Sequence, residues 1–130
     1  MDIERLEAFT LMSTPLIKHA KTAWKIFERL ARESFVIRPS MPILYFGDSP
    51  RYFQSERRVV TVGLNPSFKE FQNDRGIFEI GFRFPLAPNM LANTTKEQDY
   101  ENYLQSLNRY FETNPYWRWF RSLVPILNAL

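Results

Sequence analysis

The chain of 130 residues contains no cysteine. Structural disulfides, thiolate zinc centres and cysteine-ligated iron–sulfur clusters are therefore excluded. Histidine occurs once, as His19, which rules out a multi-histidine metal site; neither a metal nor another cofactor is expected. No apolar run approaches the roughly 20 residues needed to cross a bilayer. The first residues, Met1-Asp2-Ile3-Glu4-Arg5, lack the basic-then-apolar layout of a signal peptide. The expectation is a cytoplasmic chain with no membrane partner.

What remains is a chain long enough for one domain with one modest core. Its hydrophobic share of 45% suits a folded globular protein. The aromatic share is 16%, with 12 phenylalanines, so large rings should dominate the packing and supply stacking surfaces for flat ligands. Lys and Arg number 17 against 14 Asp and Glu. The excess lies in residues 1–58, and beyond them the two signs balance. Such a mild excess permits nucleic acid as a partner without requiring it.

Residues 1–38 read as helical. Thr14-Pro15 opens a helix, with Ser13 or Thr14 as N-cap and Pro15 at the first helical position. Leu16, Ala20, Ala23, Trp24, Phe27, Leu30 and Ala31 then mark one buried stripe. Residues 2–12 read as a short preceding helix. Residues 42–65 carry two expected strands. Pro42-Ile43-Leu44-Tyr45-Phe46-Gly47 is the first, broken by Asp48-Ser49-Pro50; residues 58–64 form the second and more deeply buried one. Residues 66–93 have no sustained period, and a stretch of that kind is usually functional or mobile.

Residues 94–130 return to helix. Thr95 and Gln98 fit a capping box, and Tyr100, Tyr103, Leu104, Leu107, Tyr110 and Phe111 share one face. Asn114-Pro115 should cap a further helix carrying Trp119, Phe120, Leu123 and Val124, with Pro125 kinking or ending it. The C-terminal Ile126-Leu127-Asn128-Ala129-Leu130 is unusually apolar for a chain end.

The most informative run is Arg58-Val59-Val60-Thr61-Val62-Gly63-Leu64-Asn65-Pro66-Ser67, a β-branched segment driving into a polar turn. In open α/β sheets ligands gather outside the carboxyl ends of strands. Asn65 would stand there, offering an amide that holds a water or reads the edge of a base.

This run, together with Tyr45-Phe46-Gly47-Asp48, Glu70-Phe71, Arg83-Phe84-Pro85 and Asn114-Pro115-Tyr116-Trp117-Arg118-Trp119-Phe120, resembles a bacterial group within the uracil-DNA glycosylase superfamily. The five-residue core Gly63-Leu64-Asn65-Pro66-Ser67 is similar to the first motif of the mismatch-specific branch. The resemblance spans the chain from about residue 40 onward. It implies a three-layer α/β/α fold with a short, mostly parallel central sheet, and hydrolysis of an N-glycosidic bond in DNA. On that reading Asn65 positions the attacking water. Gly63, Leu64, Pro66, Ser67, Phe68, Phe71 and Phe84 form the substrate pocket, with Phe84, or else Phe71 or Phe82, stacking on the flipped base. Ser67 replaces the family's usual Gly, and the family's late motif does not occur in these residues. A missing C-terminal half, or burial of the apolar end against a partner or second copy, is the corresponding expectation.

Each feature also has a plainer reading. Gly-Leu-Asn-Pro-Ser serves as a turn, Phe84 as core, His19 as a solvated or packed helix residue, and Asp48 as a turn former. Arg57-Arg58 suits phosphates or merely solubilises the run after it. Trp117-Arg118-Trp119 suits base stacking or helix packing. Two functional alternatives to a glycosylase therefore stand: a binding module for nucleic acid without turnover, and an interaction protein docking through its C-terminus.

Overall fold

The computed structural model describes residues 3–62, 67–87 and 96–130. Among them the regular structure is helical: α1 (Ile3–Leu30), α2 (Ser49–Gln54), α3 (Ile80–Arg83), α4 (Glu97–Asn108), α5 (Trp117–Phe120) and α6 (Val124–Asn128), with 3₁₀ turns at Phe68–Phe71 and Tyr110–Glu112. The expected parallel sheet is absent from the described residues. Their one β-type pairing is an isolated antiparallel bridge between Gln72 and Phe78. The α/β/α assignment is corrected accordingly.

The reason lies in what an alternating apolar run reports. Residues 41–45 do take an irregular path with strand-like burial, which ends at Phe46, packed on the core beside Tyr45. Met41 is buried, Ile43 and Tyr45 pack on the core, and Leu44 between them is exposed. The polar groups along this segment are met by α4 instead of by a neighbouring strand. Tyr103 donates its hydroxyl to the Pro42 carbonyl at 2.7 Å, and the Gly47 amide donates to the Leu107 carbonyl at 3.3 Å. The Asn108 carboxamide oxygen accepts from the Tyr45 hydroxyl, the Ser49 amide and the Ser49 hydroxyl at 3.1, 3.0 and 2.7 Å. A groove of side-chain acceptors and donors thus replaces a ladder. The second run fares differently. Val60 and Val62 are 66% and 89% exposed, so the described part of the expected buried strand lies on the surface. β-Branching favours extended backbone, but a strand needs a partner to satisfy its amides.

The helical expectations hold with shifted ends. Residues 3–30 form a single helix that passes through Pro15, instead of two helices with Pro15 opening the second. Such a proline forgoes one main-chain hydrogen bond. Ala20 and Trp24 are buried as the stripe predicts, whereas Leu30 is exposed. Helix α4 starts at Glu97 with Lys96 at the N-cap and no side-chain cap; Thr95 lies outside the described residues. Glu97 and Asp99 in its first turn complement the helix dipole. Its Tyr103, Leu104 and Leu107 are fully buried and pack on Ile17, Ala20 and Trp24 of α1, with which α4 makes the main interhelical contact. Trp24 meets Tyr103 edge-on, with ring centroids 5.5 Å apart. The expected third C-terminal helix divides into α5 and α6, and Pro125 sits in the first turn of α6, where it starts a helix instead of ending one. Trp119, Val124, Ile126, Leu127 and Leu130 are exposed in the single chain.

Tyr110 closes the core at the far end of α4. It stacks on Phe84 with centroids 5.5 Å apart and rings inclined by 30°, and Phe46, Phe111 and Phe120 surround it. Five of the chain's aromatic residues meet here. No helix among the described residues is long and apolar enough to cross a membrane.

Candidate functional site

A cleft of about 550 Å³ opens between two loop walls on the side of this aromatic end. One wall is the 3₁₀ turn Phe68–Phe71 and the tight loop after it, contributing Lys69, Gln72, Asn73, Asp74 and Gly76; the other is the segment Pro115, Tyr116, Trp117, Arg118 and Arg121, with Arg83 lining the cleft between them.

Each wall is set by its own local chemistry. Ser67 caps the 3₁₀ turn, its hydroxyl accepting from the Lys69 amide at 3.3 Å. The Asn73 side chain closes the next loop by accepting from the amides of Arg75 and Ile77 at 2.9 and 3.1 Å and donating to Glu79 at 2.9 Å. Gly76 supplies the left-handed conformation, φ 76°, that the turn needs. On the other wall, Asn114 donates its side-chain amide to the Phe82 carbonyl at 3.0 Å, which ties the start of this segment to α3.

Two polar connections then hold the walls at a fixed spacing. Arg83 is only 5% exposed. Its guanidinium donates to the Asn114 carbonyl and, at 3.4 Å, to the Lys69 carbonyl, so it touches both walls. It also lies 5.2 Å from the Phe82 ring centroid and 5.4 Å from that of Tyr116. Beneath it, Glu70 is 3% exposed and accepts from the Tyr110 hydroxyl. The same Tyr110 oxygen accepts from the Tyr116 amide at 2.7 Å. Burial raises the Glu70 carboxyl above its ordinary range, against the opposing effects of the Tyr110 hydrogen bond and the Arg83 charge. Burial likewise raises the Tyr110 phenol, and its bond to Glu70 adds to the rise.

The chemical character of the cleft follows. Lys69, Arg83, Arg118 and Arg121 line it against one acid, Asp74. Beyond residue 58 the sequence holds seven cations and seven acids, so more than half of that half's cations meet in one place. Arg118 and Arg121 are exposed, and so is the indole of Trp117. The cleft can therefore hold an anion by its exposed cations while presenting a flat ring. Among the described residues no group of His, Asp and Glu is placed to hold a metal ion.

The residues singled out from sequence fall partly elsewhere. Gly63, Leu64, Asn65 and Pro66 lie outside the described residues. Ser67 is a helix cap, and Phe68 is exposed. Phe71 and Phe84 are core residues, and Phe84 is 0% exposed, with no ring face open to a ligand. None of these four lines the cleft, although their sequence neighbours Lys69 and Arg83 do. Asp48 caps α2, accepting from the Arg51 amide at 3.0 Å. His19 sits beside a shallow, mainly apolar groove with Leu16, Ile26, Leu44 and Tyr45. Arg58 folds back to donate to the Phe53 carbonyl at 3.0 Å. Sequence reasoning missed Lys69, Arg83 and Arg121 as a group. The aromatic and basic residues of Tyr116-Trp117-Arg118-Trp119-Phe120-Arg121 were a signal for one wall, but nothing in the sequence joined Lys69 and Arg83 to it.

Comparison with protein-family models, with curated proteins and with solved structures gave no significant match to this chain.

Proposed function

We propose that this chain binds single-stranded nucleic acid in the cleft between the 67–76 and 115–121 walls. The convergence of Lys69, Arg118 and Arg121 with the exposed indole of Trp117 carries this reading. Cations that track a phosphate backbone and an aromatic face on which a base stacks are the common elements of sequence-tolerant single-strand binding. A duplex, whose bases are already stacked, cannot use the indole in this way.

The reading makes a quantitative demand. Lys69, Arg118 and Arg121 would neutralise three phosphates. Log affinity for a single strand should then fall against log salt with a slope of about −2, at roughly −0.7 per phosphate. Fluorescence anisotropy with a labelled oligothymidylate across a salt series measures it. Absent binding, or binding indifferent to salt, refutes the proposal.

Hydrolysis of a base is a second reading, favoured by one observation. Ser67, the last residue of the Gly63–Ser67 motif, caps the turn that carries Lys69 into the cleft wall, so the motif runs directly into the site. It is the more demanding reading, because the sheet rim on which Asn65 was expected is missing from the described residues. Incubation with uracil-containing single-stranded DNA, scored for abasic sites, separates the two. Turnover that is lost in Asn65→Ala supports hydrolysis, and binding without turnover leaves the first reading alone.

A further inference from the structure

We infer that the Tyr110 hydroxyl is the positioning group of the cleft, a latch that sets the 115–121 wall against the 67–76 wall by accepting from the Tyr116 amide while donating to Glu70. The inference rests on the nucleic-acid reading for its functional part and on geometry for the rest. Tyr110 comes from the 3₁₀ turn that follows α4, and it reaches both walls at once. Its ring is packed against four others. Phe84 is stacked against it, and Phe46, Phe111 and Phe120 lie within 5.8 Å centroid to centroid. A rigid ring leaves the oxygen little freedom, so the position of the Tyr116 amide is dictated by the core. Residue 117 follows directly, and its indole is the proposed platform for a base.

The hydroxyl is also used in full. Its one proton goes to the Glu70 carboxylate, so its oxygen must act as acceptor toward Tyr116. Glu70 need only supply an oxygen that accepts this proton, a role a neutral amide oxygen also fills. Glu70 thus acts on the far wall through Tyr110 although it touches only the near one. Neither Tyr110 nor Glu70 lines the cleft. Loss of the latch should therefore weaken binding without altering the number of phosphates neutralised. That separates a positioning residue from a contact residue, because a phosphate contact moves the salt slope.

Tyr110→Phe keeps the ring and removes only the oxygen. Glu70→Gln keeps an acceptor for the hydroxyl and should preserve the latch. Two measurements are made on the intact chain, with thermal melts confirming that each variant is folded. In the free protein, hydrogen exchange of the Tyr116 amide should run about tenfold faster in Tyr110→Phe, the factor that one hydrogen bond of ordinary net strength gives, and stay near the wild-type rate in Glu70→Gln. With a labelled oligothymidylate of about 12 nucleotides, a length within single-strand site sizes, Tyr110→Phe should bind about 5- to 10-fold more weakly at every salt concentration with an unchanged slope. Glu70→Gln should bind at least as well as wild type, having lost a negative charge near the cleft. Unchanged exchange at Tyr116, unchanged affinity, or a flattened slope in Tyr110→Phe each overturns the inference. If the wild-type chain does not bind the oligonucleotide, the nucleic-acid reading falls by itself, and the exchange rates still decide the latch.

Discussion

Phe84 separates two accounts of the molecule, because sequence offers it as a platform for a flipped base and the structure places it in the core. Its side chain is 0% exposed and lies against Tyr110, with ring centroids 5.5 Å apart. Phe84→Ala removes a complete buried ring and leaves a cavity in the aromatic cluster. Truncations of this kind cost about 3–5 kcal/mol, the loss of the stacked pair included. A domain of this size has a stability on the order of 5–15 kcal/mol, so the variant should remain folded but fragile. For a chain of 130 residues, the midpoint of thermal unfolding should fall by roughly 9–25 °C, at some 3–5 °C per kcal/mol. Urea titration followed by circular dichroism should show a lower midpoint with an unchanged slope. Trp117→Ala is the counterpart. Its indole is 43% exposed and meets Phe111 at 5.8 Å between centroids, so stability should fall by about 1–2 kcal/mol, less than for Phe84→Ala, while oligonucleotide affinity drops by about 1–3 kcal/mol for the lost stack. The reasoning is refuted if the two variants exchange roles: if Phe84→Ala melts within a few degrees of wild type and loses binding, Phe84 faces the ligand.

Three further outcomes follow from single polar or backbone features. Glu70 has its carboxyl raised by burial, so the folded state holds the proton more tightly than the unfolded chain does. Stability from this group is complete below the ordinary carboxyl range and is lost as pH rises through the raised value; the stability of Glu70→Gln relative to wild type, from urea midpoints, should therefore climb with pH from about 4.5 upward, and a flat difference would show that burial does not perturb the group. Asn108→Ala removes the oxygen on which the Tyr45 hydroxyl and both Ser49 donors converge, and should cost about 2 kcal/mol in chemical denaturation. Gly47 adopts φ 129°, a region other residues rarely adopt, so Gly47→Ala should cost about 1–3 kcal/mol, although a Cβ there would meet its nearest neighbour, Phe111, at an ordinary 3.7 Å.

The two long helices were legible because each writes its burial into a 3.6-residue period, whereas α2 and α3, of six and four residues, are too short to show one and fell in segments read as strand break and loop. Ala20 and Trp24 in α1, and Tyr103, Leu104 and Leu107 in α4, are buried as that period requires. The sheet was misread because a period of two reports alternating exposure and says nothing about pairing. Residues 41–45 alternate against α4, a surface that sequence cannot distinguish from a second strand. One contrary signal was present: residues 49–57 are too few for the dozen or so needed to cross between parallel strands. The cleft was hidden for a different reason. Lys69, Arg83, Arg118 and Arg121 come from three separated segments, and only the folded chain brings their charges together.

Besides Arg83, which touches both cleft walls, what joins those segments is a small set of side chains on α4 and just beyond it. Tyr103 and Asn108 hold the 42–49 segment, Tyr110 holds both cleft walls through Glu70 and the Tyr116 amide, and Thr113 places its hydroxyl within 3.4 Å of the Arg83 carbonyl. In a sheet, main-chain ladders spread that task over many residues, and one lost bond matters little. Here the spacing of the cleft walls rests on two side chains packed among aromatic rings, Arg83 and Tyr110. Cleft geometry should therefore respond to single-atom changes in the core, such as removal of the Tyr110 oxygen, more strongly than to substitutions along its own rim. Rim substitutions such as Arg121→Gln should alter the electrostatic part of binding alone, flattening the salt slope by about 0.7 and leaving the wall positions, read by exchange at Tyr116, as they are.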